Sequence, residues 1–483
     1  MKRLLEIIFP LLTWSIITLP VWLSPFHPAV VAYFILTFNI YFFYKSFSVA
    51  FFSTLSFFRL SRLSKHNWLE QAKLLPEYRK MYHAIIIPNY REGIEKVRRT
   101  LQQLTMQDFP LNRILIILAM EEREGETAKI RGNELVEEFG KTFGYFSVTY
   151  HQDLPGEVKG KASNSAWAGK MLEIILKKKK INESYVTVTS CDADSLLPPK
   201  YFSYLTYTFL TDDNRTYHFY WAPVLLYSNF WEISLPIRLQ ATISSIVRLA
   251  CLSRPDSLIQ ISTYSLSFAM LKKIGYWDTD IIPEDWHIFL QAFFQLGEKV
   301  RTVPLYLVIT RDAVNGTNLL KTLHSRYEQE KRWAWGITDI PYAVHKFFTT
   351  PHIPILPKFF RVFYVIENHI LWPASFFLLT FAASIPALIN PQFSRTALGY
   401  NLPKMSGIIL TVTLLFIVVL IVLDSKSRPK RPSTYSVAKT PLLIFQWILL
   451  PVVSFFFSSL PALEAHTRLL LGKRLEYKVT EKF

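Results

Sequence analysis

The sequence predicts an α/β domain on a mainly parallel sheet, set between membrane-spanning helices. Three observations predict it. Apolar windows of bilayer length lie in the first 60 residues and return after residue 345. From about residue 78 to 345 the chain reads as soluble, with short apolar runs alternating with helical patterns. Acidic residues gather at the carboxyl ends of those runs.

The 483 residues allow about three folding units, enough for a sizeable core. Half the residues are hydrophobic, 15% are aromatic and mean hydropathy is +0.19. That is high for a soluble protein and too low for one that is all membrane. This composition excludes a disordered chain, a coiled coil and a disulfide scaffold. Lys+Arg number 54 against 37 Asp+Glu, a formal charge of +17. Such a balance suits nucleic acid or an anionic membrane surface. The apolar windows decide for membrane lipids, so no nucleic-acid partner is expected. Cys191 and Cys251 are the only cysteines, which suits a reducing compartment.

Residues 7–24 form the first window, behind Lys2 and Arg3, and residues 29–52 form the second. Together they predict two spans within residues 1–60. The link Pro25-Phe26-His27-Pro28 carries no Lys or Arg, whereas Arg59, Arg62, Lys65 and Lys73 follow the second window. This asymmetry puts the N-terminus and the following domain in the cytoplasm. Beyond that domain, residues 346–461 supply an interfacial helix and further spans, in windows at 362–388 and 407–423. The basic stretch 426–431 after them belongs in the cytoplasm. A last window at 441–461 contains Pro451 and reads either as a span or as a re-entrant piece. The tail, 462–483, is basic and favours the cytoplasm. Glu367 and His369 sit near the start of the third window. They read either as functional groups at membrane depth or as wet interfacial side chains.

Within the soluble stretch, residues 83–92 read as a buried strand ending in a polar loop, and 97–106 as a helix. Residues 113–118 are a second strand, ending at Glu121 and Glu122, and 185–189 a third, ending at Cys191-Asp192-Ala193-Asp194. Strands alternating with helices imply a mainly parallel sheet. Ligands then bind beyond its carboxyl ends, where the strand order reverses. Glu92, Glu121, Glu122, Asp192 and Asp194 all fall there.

Asp192 and Asp194 flank a small Ala193, a spacing that lets both address one divalent cation. Hard oxygen donors suit Mg²⁺ or Mn²⁺. Glu284 and Asp285 open a helix. Acids there serve as caps or dipole partners, and the same position suits a general base. In the stretch 326–335, Gln329, Arg332 and Trp333 combine a phosphate-pairing guanidinium with a flat face for a sugar. That stretch also reads as an amphipathic interfacial helix ahead of a span.

The ordered set is Pro88-x-Tyr90-x-Glu92, Asp192-x-Asp194, Glu284-Asp285 and Gln329-x-x-Arg332-Trp333, flanked by spans. It resembles the membrane-embedded family 2 glycosyltransferases, which include the cellulose, chitin, hyaluronan and poly-N-acetylglucosamine synthases. The resemblance covers most of the chain. It implies a GT-A fold, Rossmann-like, for a cytoplasmic catalytic domain inserted between transmembrane helices, and a nucleotide-sugar donor, most often a UDP-sugar. It gives the nucleoside to Glu92 and to Glu121 or Glu122, and the donor to Lys161 and Asn164 of Gly160-Lys161-x-x-Asn164. It gives diphosphate and metal (Mg²⁺ or Mn²⁺) to Asp192 and Asp194, and the base role to Asp285 with Glu284 beside it. Gln329, Arg332 and Trp333 would line the acceptor and diphosphate side. Tyr477, Val479, Thr480 and Lys482 are similar to the gating segment of cellulose synthases. Where the family usually has Asp-Asp-Gly-Ser, this chain has Met120-Glu121-Glu122-Arg123. Where it has a Gly-rich acceptor motif, this chain has Ser262-Thr263-Tyr264-Ser265.

The expected activity is therefore inverting transfer of a sugar to a polysaccharide or lipid-linked acceptor by a multi-pass protein of the cell membrane. The reading from another class is a catalytically inactive membrane subunit that binds nucleotide-sugar or glycan. Hydrolysis of a UDP-sugar in the presence of Mn²⁺ separates the two.

Overall fold

The computed structural model of the chain describes residues 2–433 and 435–475. The gating-like Tyr477, Val479, Thr480 and Lys482 lie outside the described residues.

In chain order the strands are β1 (Tyr82–Asn89), β2 (Ile114–Glu121), β3 (Tyr145–His151), β4 (Val186–Ser190), β5 (His218–Trp221), β6 (Val224–Leu225), β7 (Tyr264–Ser267), β8 (Arg301–Pro304) and β9 (Ile309–Thr310). Seven of them form one sheet in the order β3-β2-β1-β4-β7-β5-β8, and β6 pairs with β9. β7 runs antiparallel to β4 and β5, and the other pairings are parallel. Every residue of β2, Ile-Leu-Ile-Ile-Leu-Ala-Met-Glu, is buried, as a central parallel strand covered on both faces requires. Chain order reverses across β1, with β2 on one side and β4 on the other. The crevice beyond these strands is where the fold places a ligand.

Among the described residues six helices are long and apolar enough to cross a membrane: Lys2–Trp22, Pro28–Leu63, Leu235–Leu252, Ile355–Thr380, Ala397–Ser427 and the interrupted run Leu442–Leu470. The Leu235–Leu252 helix lies within residues 78–345, the stretch that reads as soluble in the sequence. Two-thirds of its apolar window is buried, because it packs against Pro28–Leu63 instead of facing lipid alone. Pro28–Leu63, at 36 residues, exceeds its apolar window at the C-terminal end. There Arg59 donates to the Tyr306 hydroxyl at 2.7 Å, and Ser56 bonds Ser253, which fastens the helix to the α/β domain.

The Leu442–Leu470 run is broken near Phe457, whose backbone leaves helical geometry (φ −119°, ψ 21°). Both of its flanks touch the α/β domain. Just before it, Asp424 accepts from Tyr227 and Arg238 donates to Tyr435; near its end, Glu464 accepts from Tyr327. Arg3 also donates to the carbonyls of Leu469 and Leu470, so the chain's start and the end of this run lie together.

Candidate active site

A cavity of about 620 Å³ opens at the carboxyl ends of β1, β2 and β4. Its sheet end is lined by Tyr90 and Glu92 from the loop after β1, by Glu121 at the end of β2, and by Asp192 and Asp194 after β4. Glu121 is buried and accepts from His151 (3.2 Å), with Arg123 at 3.4 Å. Glu122 is exposed and outside the lining. Glu121 is the last residue of the fully buried β2, whereas Glu122 already starts a short 3-10 turn that leads out to solvent.

Lys161 opens the helix Lys161–Lys178, and its ammonium reaches Asp192 at 2.7 Å and Glu284 at 2.6 Å. Asn164, three residues on, is buried and donates to the Ala119 carbonyl. Asp192 is further bound by Arg311 (2.6 Å) and by the Ser262 hydroxyl. Burial opposes ionisation of Asp192, but Lys161 and Arg311 outweigh it and hold the carboxyl well below the usual range. Burial likewise disfavours the Lys161 ammonium, and the charges of Asp192 and Glu284 outweigh that and keep it protonated. For Glu284 burial wins: despite Lys161 its pKa is pushed up to about 7.

Asp285 is the second residue of the helix Glu284–Leu296. One carboxylate oxygen accepts from the Ser262 backbone N–H and the other from that of Trp286, both at 2.9 Å. Ser262 thus links Asp192 to Asp285. It does so from a left-handed backbone conformation (φ 71°), which strains a non-glycine residue and is common at functional sites. Two residues after Asp285, His287 is buried between Asp339 (2.7 Å) and Asp278 (3.0 Å). Burial lowers its basicity, but the two carboxylates raise its pKa to about 9, so it pins the helix start as a cation.

Gln329, Arg332 and Trp333 line the far wall, on the helix Leu319–Ala334. Gln329 accepts from Arg326, and the Arg326 and Arg248 guanidiniums both lie over the Trp333 ring, at 4.7 and 5.6 Å. The cavity then continues between the apolar helices, past Gln240, Ser244 and Arg248, Asn368, His369 and Trp372, and Phe457 and Ser458. His369 is buried there, with neither ring nitrogen bonded. Its ring packs so closely on Gly336 that an added Cβ would meet it at 2.6 Å. Glu367, by contrast, pairs with Lys45 at 2.5 Å and does not line the cavity.

Sequence reasoning missed Arg248 and Arg311, and it noted Ser262 only as part of a departure. An Arg311-Asp312 pair straight after β9 was the available signal for the first group at the sheet end. Nothing in the identity of a serine announces a left-handed backbone.

Asp192 and Asp194 offer hard oxygens at the cavity wall, a donor set that suits Mg²⁺ or Mn²⁺. Among the described residues no group of three or more His, Cys, Asp and Glu forms a complete cage. An ion here would complete its shell with ligand oxygens, as Mg²⁺ commonly does with phosphates.

A mixed, mostly parallel sheet with acids at the strand-order reversal and apolar helices around it is the GT-A architecture. Residues 187–423 match the sequence model of "Glycosyl transferase family group 2". That match covers just under half of the chain and is to a glycosyltransferase domain of the family 2 type; the chain is a glycosyltransferase. Among solved structures it is similar to the mannosyltransferase PcManGT from Pyrobaculum calidifontis in complex with GDP-Man and Mn²⁺. That likeness has 14% identity and a TM-score of 0.44, covering 91% of this chain and 100% of that one. It is also similar to S. aureus TarS 1–349 in complex with UDP-GlcNAc, at 13% identity and a TM-score of 0.35, covering 82% and 94%. No curated protein matches the chain in sequence.

Proposed function

We propose that the chain is an inverting, metal-dependent glycosyltransferase at the cytoplasmic face of a membrane. It takes a nucleotide-sugar, a UDP-sugar in the first place, and passes the sugar to a glycan or lipid-linked acceptor. The observation that carries this reading is one continuous cavity. It joins the acids at the sheet ends, Lys161, Asp285 and the Gln329–Trp333 wall, and then runs on between apolar helices.

In this reading the nucleoside lies at the Tyr90, Glu92 and Glu121 end, and the diphosphate lies by Lys161, Arg311 and Asp192. Asp192 and Asp194 would hold Mg²⁺ or Mn²⁺, which supplies further charge compensation to the diphosphate when bound. Asp285 takes the proton of an acceptor hydroxyl. The freed oxygen bonds to the anomeric carbon from the face opposite the diphosphate. The bond from that carbon to the phosphate oxygen breaks, and its electron pair leaves with the nucleoside diphosphate. Lys161 and Arg311 meet the charge that develops there.

Glu284 makes the donor side testable. An arriving diphosphate draws Lys161 toward its own oxygens and leaves the buried Glu284 without its cation. A carboxyl already raised to about 7 then binds its proton more tightly still. Donor binding therefore takes up a proton. The sign follows by linkage: affinity is flat well below pH 7, where Glu284 is protonated in both states, and falls as pH rises through 7. The slope reaches up to about tenfold per pH unit. Calorimetry with a UDP-sugar and a GDP-sugar, whose diphosphates do not titrate in this window, checks it. Glu284→Gln should bind with no such slope. A parent protein that binds neither nucleotide-sugar at any pH would defeat the reading of the cavity.

A further inference from the structure

The cavity's cations are not alike. Lys161 and Arg311 are matched by Asp192, and Lys161 also by Glu284. Arg248 is not matched: among the described residues no carboxylate lies within 4 Å of its guanidinium. The residue is only 7% exposed, its Nε has no hydrogen-bond partner, and its one polar contact is Nη1 donating to Ser244 Oγ at 2.7 Å. The acid on the adjoining helix, Glu330, is engaged by Arg326. An arginine cannot shed its charge in a protein, so a buried one without an anion is costly unless a ligand supplies the anion.

Its position says what kind of ligand. Gln240, Ser244 and Arg248 recur every four residues and form one polar stripe along the cavity-facing side of the Leu235–Leu252 helix. That helix packs along Pro28–Leu63, and the stripe faces the part of the cavity walled by Trp372, Phe457 and Ser458 from the apolar helices. An anionic group on this stripe would sit where a membrane lipid's headgroup meets its chain.

We infer that Arg248, with Ser244, is an acceptor-side phosphate site, and that the acceptor is a phosphate-bearing lipid-linked sugar. This rests on the proposed transferase reading and names the acceptor class for the same cavity. Arg248 holds the phosphate ester, and the nucleophile remains a sugar hydroxyl delivered to Asp285. The guanidinium matches phosphate oxygens in a two-pronged way that an ammonium reproduces only as a point charge.

The test is binding of farnesyl phosphate, farnesol and glucose 1-phosphate to the detergent-solubilised full chain, read by calorimetry. The parent should prefer farnesyl phosphate to farnesol by at least about tenfold, the worth of one charged hydrogen bond. Arg248→Gln should erase that preference and Arg248→Lys should keep part of it, while nucleoside diphosphate affinity, which also reports folding, stays within about twofold. If glucose 1-phosphate binds as tightly as farnesyl phosphate and depends equally on Arg248, the phosphate site stands and a phosphorylated glycan is its source. Equal binding of farnesyl phosphate and farnesol overturns the inference. So does a parallel loss of nucleoside diphosphate affinity in Arg248→Gln, which would make Arg248 part of the donor site. Nucleotide-sugar binding by the parent is judged separately, so failure here leaves the transferase reading intact.

Discussion

Asp285→Asn is expected to lower sugar transfer by about a hundred- to ten-thousand-fold, the usual worth of a general base. Nucleoside diphosphate affinity should stay close to the parent value, because the proposed nucleoside and diphosphate contacts are Glu92, Glu121, Lys161 and Arg311. The substitution is nearly isosteric. An amide, however, has one acceptor oxygen, and Asp285 accepts from two backbone N–H groups, those of Ser262 and Trp286. One N–H therefore loses its partner, at a cost of about 1–3 kcal/mol of stability. A melting curve beside the rate measurement separates that loss from the chemical one. Transfer at close to the parent rate would remove Asp285 from the base role. Joint loss of nucleotide binding and folding would make its carboxylate a helix cap that also ties down Ser262.

Lys161→Met is expected to reduce transfer by about a hundred- to thousand-fold, as loss of a charge-stabilising donor at a leaving oxyanion does. It should also weaken nucleotide-sugar binding by about ten- to a hundredfold, the worth of a charged hydrogen bond. Its stability effect is pH-dependent. Methionine leaves Asp192 with Arg311 but leaves Glu284 buried without a cation. At pH 8 the parent's Glu284 is largely ionised against Lys161, whereas the variant's carboxyl, its pKa raised further, must hold its proton at an extra cost of up to about 1.4 kcal/mol. At pH 6 it is protonated and the cost shrinks. Denaturant titrations at the two pH values check this. An equal stability loss at both would assign it to packing instead of charge.

The strands that could be read from the sequence were β1 and β2, whose burial makes them apolar runs, and β4, Val-Thr-Val-Thr-Ser, a buried β-branched run ahead of the Asp192-x-Asp194 acids. β3, Tyr-Phe-Ser-Val-Thr-Tyr-His, is half-exposed at the sheet edge. β7 and β8 have four residues each, too few to show a period. The Leu235–Leu252 helix escaped notice because Arg238, Gln240 and Arg248 interrupt its apolar character. Those polar groups are tolerated because protein and cavity, not lipid, surround them. In the site, the acids were legible because strand ends announce themselves. Their counter-ions were not. Arg311 and Ser262 are brought to Asp192 across 119 and 70 residues of chain, a juxtaposition that only the folded sheet creates.

The proposal that everything else rests on is that this cavity transfers sugar with Asp285 as base. Its most direct test is a single-turnover assay with radiolabelled UDP- and GDP-sugars and Mn²⁺, using the full chain in its native membranes. Parent and Asp285→Asn proteins are compared at matched nucleotide occupancy. The account predicts label in a membrane-extractable product for the parent with at least one donor, and at least about a hundredfold slower incorporation for the variant. Equal incorporation by the two proteins, or none by the parent from any donor that it binds, would contradict it.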